Sequence, residues 1–135
     1  MIKTPNGLFD IDVEDCWIRN HMCSGKVFEH HIINGMLKPY VETANVVVDV
    51  GANIGCHAIS YAGFNSTSKI IAFEPQSKLF DILGKNVEHN KYQDRITVYK
   101  NGLGHTNMTC TLSNLDAMDK DTVNGGWNKG GMGIG

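Results

Sequence analysis

The chain has 135 residues, a formal net charge of -2 and 41% hydrophobic residues, which fits a single globular domain with a moderate core. The small negative charge gives no electrostatic reason to expect nucleic acid or an anionic membrane as a partner. No apolar run approaches the roughly 20 residues that a membrane-spanning helix needs. The four cysteines contain no C-x-x-C pair, which argues against a zinc site. We therefore expect a reduced, cytoplasmic protein without nucleic acid, membrane or metal as a partner.

Residues 1–44 are predicted to form an N-terminal arm followed by a helix. Loose alternation of apolar and polar side chains over residues 7–15 predicts a short hairpin. From Val27 to Tyr40 the apolar residues recur at helical spacing and would share one face. Pro39 should end or kink this helix, because proline lacks the backbone N–H that a helix interior needs.

The strongest signal in the chain is V-V-V-D-V-G-A-N-I-G over residues 46–55. The β-branched run predicts a strand buried on both faces, as in a parallel sheet, and a helix over residues 54–62. Gly51 would allow backbone angles that a side chain forbids, and Gly55 would let the helix pack close against the strand. A ligand could therefore approach bare backbone at this turn.

Two kinds of cofactor compete for this strand, turn and helix. A dinucleotide site requires G-x-G-x-x-G, so that amides at the helix N-terminus hold the pyrophosphate. The sequence has Asn53 at the second glycine position and no glycine at the last, which directly precedes His57-Ala58. This disfavours a NAD-dependent oxidoreductase, and the pattern D-x-G-x-x-x-G instead resembles the first motif of S-adenosylmethionine-dependent methyltransferases.

A second strand is predicted over residues 69–75, K-I-I-A-F-E-P, about twenty residues after the glycine turn. Glu74 lies at the end of this strand, where its carboxylate can accept two hydrogen bonds from the vicinal hydroxyls of a ribose. Both NAD and S-adenosylmethionine carry that ribose. Glu74 therefore predicts an adenosine ligand without choosing between the two.

A helix and a third strand complete the predicted core. Ser77 can cap a helix that stops at Asn90, and Gly84 inside it suggests a close contact, because glycine weakens a helix interior. Residues 95–100 alternate, which predicts a strand near a sheet edge. Ligands of open α/β sheets bind at the carboxyl ends of strands, so the residues after this strand should border the adenine: Asn101, Gly102 and Leu103.

The strings D-V-G-A-N-I-G and F-E-P together resemble the FkbM-type methyltransferase family over about residues 27–112. The resemblance implies the class I methyltransferase fold, a Rossmann-like α/β/α arrangement of three layers with a mostly parallel sheet. It implies S-adenosylmethionine as the cofactor and O-methylation of a sugar or another hydroxylated small molecule. The cofactor site that it implies consists of Asp49, Gly51, Ala52, Asn53, Gly55 and Glu74, with Asn101, Gly102 and Leu103 beside the adenine.

The roles of three polar residues stay open. Asp49 could orient the amino group of the cofactor or only hold the turn and cap the following helix. Glu29 lies where family members often carry an acid after an aromatic residue, but it could equally be an exposed helix carboxylate. His57, one turn into the helix after the glycines, is more readily explained as structural than as catalytic. No residue stands out as a general base.

The predicted fold is incomplete. The class I sheet has seven strands, and this sequence offers candidates for the first three within residues 45–112, with a further short strand over residues 108–112. Residues 113–135 are glycine-rich and are expected to form a flexible tail, without the D-V-E-G-like string of a fourth strand. We expect a truncated protein whose first strand has an open edge, and therefore either a homodimer through that edge or marginal stability. A non-catalytic S-adenosylmethionine-binding protein is the alternative.

Overall fold

The structure is a computed structural model and describes residues 1–12 and 14–107. After residue 45 the predicted order of strand, helix, strand, helix and strand is confirmed. The predicted strand over residues 108–112 and the predicted tail over residues 113–135 lie outside the described residues. The elements are β1 Ile2–Thr4, β2 Gly7–Phe9, α1 Cys16–Met22, a π-helical segment His31–Leu37, α2 Lys38–Val41, β3 Val46–Val50, α3 Cys56–Phe64, β4 Lys69–Phe73, α4 Ser77–His89 and β5 Ile96–Tyr99.

The main sheet has three parallel strands in the order β3-β4-β5. Among the described residues, β5 lies at one edge, as its alternating sequence predicts. The prediction that β3 is buried on both faces is wrong, because Val46, Val48 and Val50 are each more than half exposed. In the described ranges, β3 pairs only with β4 and forms the other edge of the sheet.

Helices cover one face of this sheet. Paired residues in parallel strands share a face, and the register aligns Asp49 with Ala72 and Ala72 with Val98. Ala72 is fully buried on this face, which also carries Ile70 and Ile96 of the core. The described part of the chain thus supplies the sheet and one helical layer of the predicted arrangement. This one-sided cover explains why Val47 and Asp49 of β3 are partly or fully buried, while the residues between and beside them are exposed.

A hairpin is present at the N-terminus, but it does not span residues 7–15 as predicted. Strands β1 and β2 pair antiparallel over residues 2–9. Asn90, the C-cap residue of α4, fixes the hairpin, since its side chain accepts from Leu8 N at 2.9 Å and donates to Leu8 O at 2.7 Å. Asn86, inside α4, donates to Asp10 O at 2.9 Å. These contacts join residues about 80 positions apart, which no local sequence pattern indicates.

The predicted helix over residues 27–40 differs from the observed one. The chain forms the π-helical segment first, where Lys38 N–H donates to Ile33 O five residues earlier. Pro39 lies in the first turn of α2, where its missing N–H leaves no bond unmade. Helix α1 was missed altogether, although Asp15 is a favourable N-cap residue and accepts from Ile18 N at 3.0 Å.

Helix α4 matches the predicted helix, with Gln76 rather than Ser77 at the N-cap position. Within the described residues, no helix has both the length and the hydropathy needed to cross a bilayer.

The expected close contact at Gly84 is wrong, because an added Cβ would meet no atom of the described residues within 4 Å outside the backbone of its own helix. Replacing Gly84 with alanine should therefore raise the free energy of unfolding by about 1 kcal/mol, the difference in helix propensity. Urea unfolding followed by circular dichroism measures the change. An unchanged or lowered midpoint would contradict an open position at Gly84.

Candidate cofactor site

A tight turn links β3 to α3 at the carboxyl edge of the sheet. Gly51 N and Ala52 N both donate to Phe73 O, each at 2.9 Å, so the turn folds back over the end of β4. Three residues in the turn have left-handed backbone angles: Gly51 at φ 77°, Asn53 at φ 53° and Gly55 at φ 92°. A side chain is strained in this region, which explains the two glycines.

Glu74 ties this turn to the exit of the neighbouring strand. Its Oε2 accepts from Asn53 N at 2.9 Å and its Oε1 accepts from Gln76 N at 2.8 Å. The residue is only 3% exposed, and burial is the main cause that raises the pKa of its carboxyl above the ordinary 4.5, while the two amide bonds act in the opposite direction. Each carboxylate oxygen retains a second lone pair, so both can still accept from a ribose hydroxyl.

Asp49 lies beneath the turn and contacts the first turn of α3. Its Oδ2 accepts from Ala58 N at 3.1 Å, which satisfies a helix N–H that Gly55 at the N-cap has no side chain to reach. Burial raises the pKa of Asp49, and the charge of nearby His57 counteracts part of that shift. This geometry supports the capping alternative, while contact with the amino group of a cofactor stays a prediction.

The close contact predicted at Gly55, between α3 and β3, differs from the observed one. A Cβ there would lie 2.7 Å from Leu83 Cδ1 of α4 and 3.2 Å from Ile59 Cδ1. The close approach is therefore between the turn and α4, rather than between α3 and β3. Gly51 is the opposite case, because a Cβ there would meet no atom within 4 Å in the part of the chain that the structure describes.

Two features of the turn fit an adenosine-containing cofactor. The space beside Gly51 is open, and Asn53 Oδ1 is buried without a hydrogen-bond partner in the described part of the chain. A buried acceptor without a donor lowers the stability of the fold, and a bound ligand with a donor group would remove this cost. The hydroxyl groups of a ribose are such donors, and Glu74 Oε2 contacts the same turn at Asn53 N.

The residues after β5 are brought to the same edge of the sheet. Glu74 N donates to Tyr99 O at 3.0 Å, so the end of β5 adjoins the end of β4. Asn101, Gly102 and Leu103 follow this contact and are all exposed. Their predicted place beside an adenine stays a prediction.

Glu29 and His57 form a pair that the sequence did not predict. Glu29 Oε2 lies 3.5 Å from His57 Nε2, and the His57 ring stacks on Tyr61 at a centroid distance of 5.7 Å. Glu29 also has a left-handed φ of 57°, which is strained for a residue with a side chain. The pair joins the N-terminal segment to the start of α3. Among the described residues, no cluster of three or more metal-ligating side chains is present.

Comparison with known proteins gives one relative in sequence and several in structure. A tRNA1(Val) (adenine(37)-N6)-methyltransferase from Dyadobacter fermentans is 32% identical over 82 residues, covering 61% of this chain and 34% of the relative. A precorrin-6y C5,15-methyltransferase from Geobacter metallireducens superimposes with a TM-score of 0.50 at 12% identity, covering 73% of this chain and 50% of that chain. A Staphylococcus aureus protein assigned as a caffeoyl-CoA O-methyltransferase gives 0.52 at 9% identity, covering 61% and 41%. No family model matches the chain.

The described residues form part of the Rossmann-like fold of class I methyltransferases. The fold class predicted from the sequence is thereby confirmed, and S-adenosylmethionine is the cofactor of this fold. The chain spans about a third of the length of the tRNA methyltransferase and half or less of the two solved structures. The narrower resemblance of this methyltransferase fold to the FkbM-type family stays a prediction.

The prediction that nucleic acid is not a partner is wrong. It rested on the net charge of -2, whereas the relative with 32% identity is named for a target adenine in tRNA. Net charge averages over the whole surface and describes long-range attraction. It does not describe the local lining of a methyltransferase site, where a base can be recognised by stacking and hydrogen bonds.

Proposed function

We propose that this protein is an S-adenosylmethionine-dependent methyltransferase that methylates a base nitrogen of RNA. The observation that carries the cofactor part is the turn over residues 51–55, closed by Glu74 and left open beside Gly51. The acceptor part rests on the relative that is named for an adenine of tRNA. The resemblance led us to expect a sugar or another hydroxylated small molecule as the acceptor, and none of the relatives described above is named for a sugar.

When bound, S-adenosylmethionine would supply a methyl group carried on a sulfonium. The new N–C bond would form as the C–S bond breaks, and the electron pair of the C–S bond would stay on sulfur. The methylated nitrogen would release a proton to solvent. Because this reagent is already activated, the protein contributes mainly by holding donor and acceptor in line. Glu74 would accept the ribose hydroxyls, and the backbone of residues 51–55 would border the methionine part. Asp49 would keep this turn in place by capping α3.

The proposed site residues beyond this turn are Asn101, Gly102 and Leu103. They would border the adenine, since they follow β5 at the edge where Glu74 contacts Tyr99. The reduced, cytoplasmic setting and the division into residues 1–44, 45–112 and 113–135 belong to the same proposal.

A binding measurement and a transfer measurement test the two parts separately. We expect saturable calorimetric binding of S-adenosylhomocysteine to the purified chain and none of NAD. With S-adenosylmethionine labelled on the methyl group, we expect label in unmodified tRNA and none in hydroxylated sugars. Preferential binding of NAD would overturn the cofactor part, and label in sugar alone would overturn the acceptor part. Binding without transfer to any acceptor would support the non-catalytic alternative.

A further inference from the structure

A cleft of about 530 Å³ lies along the N-terminal helices. The rings of Trp17, His21 and Phe28 contribute to its lining and form a row in which neighbours are in contact. The ring centroids of Trp17 and His21 are 5.0 Å apart. Those of His21 and Phe28 are 5.3 Å apart, with an angle of 88° between the ring planes. The volume falls in the range of about 300–1,000 Å³ that is usual for small-molecule sites. A planar ring of nucleobase size therefore fits this cleft.

Trp17 is the most unusual residue in the lining. It is 41% exposed, although Ile18 and Met22 of the same short helix are buried in the core. A tryptophan that lines a cleft while exposing this much ring gives a surface on which an unpaired base can stack.

The charge of the cleft differs from the charge of the chain. Lys26 and Glu29 line it and balance each other, and His30 and His31 add two more imidazole rings. These rings can hydrogen-bond the edge of a base, while Lys26 can pair with a phosphate. The overall charge of -2 is thus not concentrated here.

The cleft is connected to the cofactor turn through Glu29. This residue lines the cleft, and its carboxylate lies 3.5 Å from His57 Nε2. His57 is the second residue of α3, which begins directly after the glycine turn at Gly55. The wall of the cleft is therefore in contact with the first turn of the helix that follows the glycine turn.

We propose that this cleft binds the target base of the RNA acceptor, stacked on Trp17. The inference rests on the proposed function and deepens it by naming where the acceptor base binds. The base must be unpaired or extruded, because a ring inside a duplex cannot enter a cleft of this kind.

Matched variants of Trp17 test this proposal. Trp17→Phe keeps an aromatic ring, whereas Trp17→Leu keeps apolar bulk without one; circular dichroism checks that both fold. The probe is a fluorescently labelled single-stranded oligoadenylate of about eight nucleotides, and its affinity is read from anisotropy. We expect Trp17→Leu to weaken binding by roughly 5- to 150-fold, the usual effect of losing one base stack, and Trp17→Phe to weaken it far less.

Two controls separate this proposal from the proposed function. An abasic oligomer of equal length carries the same phosphates, so binding that equals that of oligoadenylate would show that anion attraction alone acts. Equal affinities of the two Trp17 variants would also overturn the cleft as a base site. S-adenosylhomocysteine binding should be the same in both variants and in the native chain. Its absence from the native chain would overturn the proposed function, whatever the oligomer does.

Discussion

Replacing Gly55 with alanine is expected to lower the free energy of unfolding by about 2 to 5 kcal/mol. Two causes add. Gly55 has a φ of 92°, and a left-handed backbone costs a residue with a Cβ about 1–2 kcal/mol. The new Cβ would also lie 2.7 Å from Leu83 Cδ1, and such overpacking typically costs about 1–3 kcal/mol. Leu83 is fully buried, so it has little room to move away.

Gly51→Ala is the matched control for this prediction. Gly51 has a similar φ of 77°, but a Cβ there would meet no atom within 4 Å. Only the backbone strain should appear, about 1–2 kcal/mol. Urea unfolding of both variants measures the difference between them, which reports the contact with Leu83. If both variants lose the same stability, α4 yields to the new Cβ and the close approach at Gly55 is not rigid.

Local patterns predicted the cofactor turn well because the physics there is local. A β-branched run followed by glycines specifies a strand, a turn with left-handed angles and a helix, and all three are present. The apolar run by itself predicted the wrong burial for Val46, Val48 and Val50, which are exposed; only the expected lack of a fourth strand implied that they would be poorly covered. Burial of a strand depends on what covers it, and the covering elements are not encoded in the strand itself.

The N-terminal segment was predicted less well because distant contacts decide its structure. The hairpin depends on Asn86 in α4 and on Asn90 at its C-cap, and neither residue carries a local signal for that contact. Helix α1 did have a signal that was overlooked. Asp15 is a favourable cap, and the rings of Trp17 and His21 are four residues apart, which places them on one face of a helix.

At the candidate site, too, local patterns were predicted and contacts between distant residues were not. The sequence indicated that Glu74 and Asp49 face the turn, since acids at the ends of adjacent parallel strands meet at one edge. It could not show that each acid accepts from a backbone amide, Glu74 from Asn53 N and Asp49 from Ala58 N. These bonds give both acids a structural role, so any functional role must be tested separately from it.

Replacing Glu74 with alanine is expected to weaken S-adenosylhomocysteine binding by about 100-fold or more. The carboxylate would accept two ribose hydroxyls, and hydrogen bonds to a charged group contribute about 1.5–3 kcal/mol each. Calorimetric titration measures the loss. The substitution also leaves Asn53 N and Gln76 N without their acceptor, which loosens the turn by itself. A second ligand is needed to separate these two effects.

A 2′,3′-dideoxy analogue of S-adenosylhomocysteine provides that separation. If Glu74 binds the ribose, the native chain should prefer the ribose ligand strongly, and Glu74→Ala should lose most of this preference. If Glu74 only supports the turn, the variant should weaken both ligands by the same factor and keep the preference. The comparison of the two ligands thus measures the coupling between Glu74 and the ribose hydroxyls separately from any change in the turn.

The pH dependence of binding gives an independent reading of the same carboxylate. Burial raises the pKa of Glu74 above 4.5, so its ionised form is lost at a higher pH than for an exposed glutamate. Affinity should therefore fall as the pH falls through the raised pKa, because a protonated carboxyl accepts more weakly than a carboxylate. Glu74→Gln is neutral at every pH and should bind weakly without this dependence. Since burial raises the pKa of Asp49 as well, an Asp49→Asn variant must retain the dependence for Glu74 to be its source.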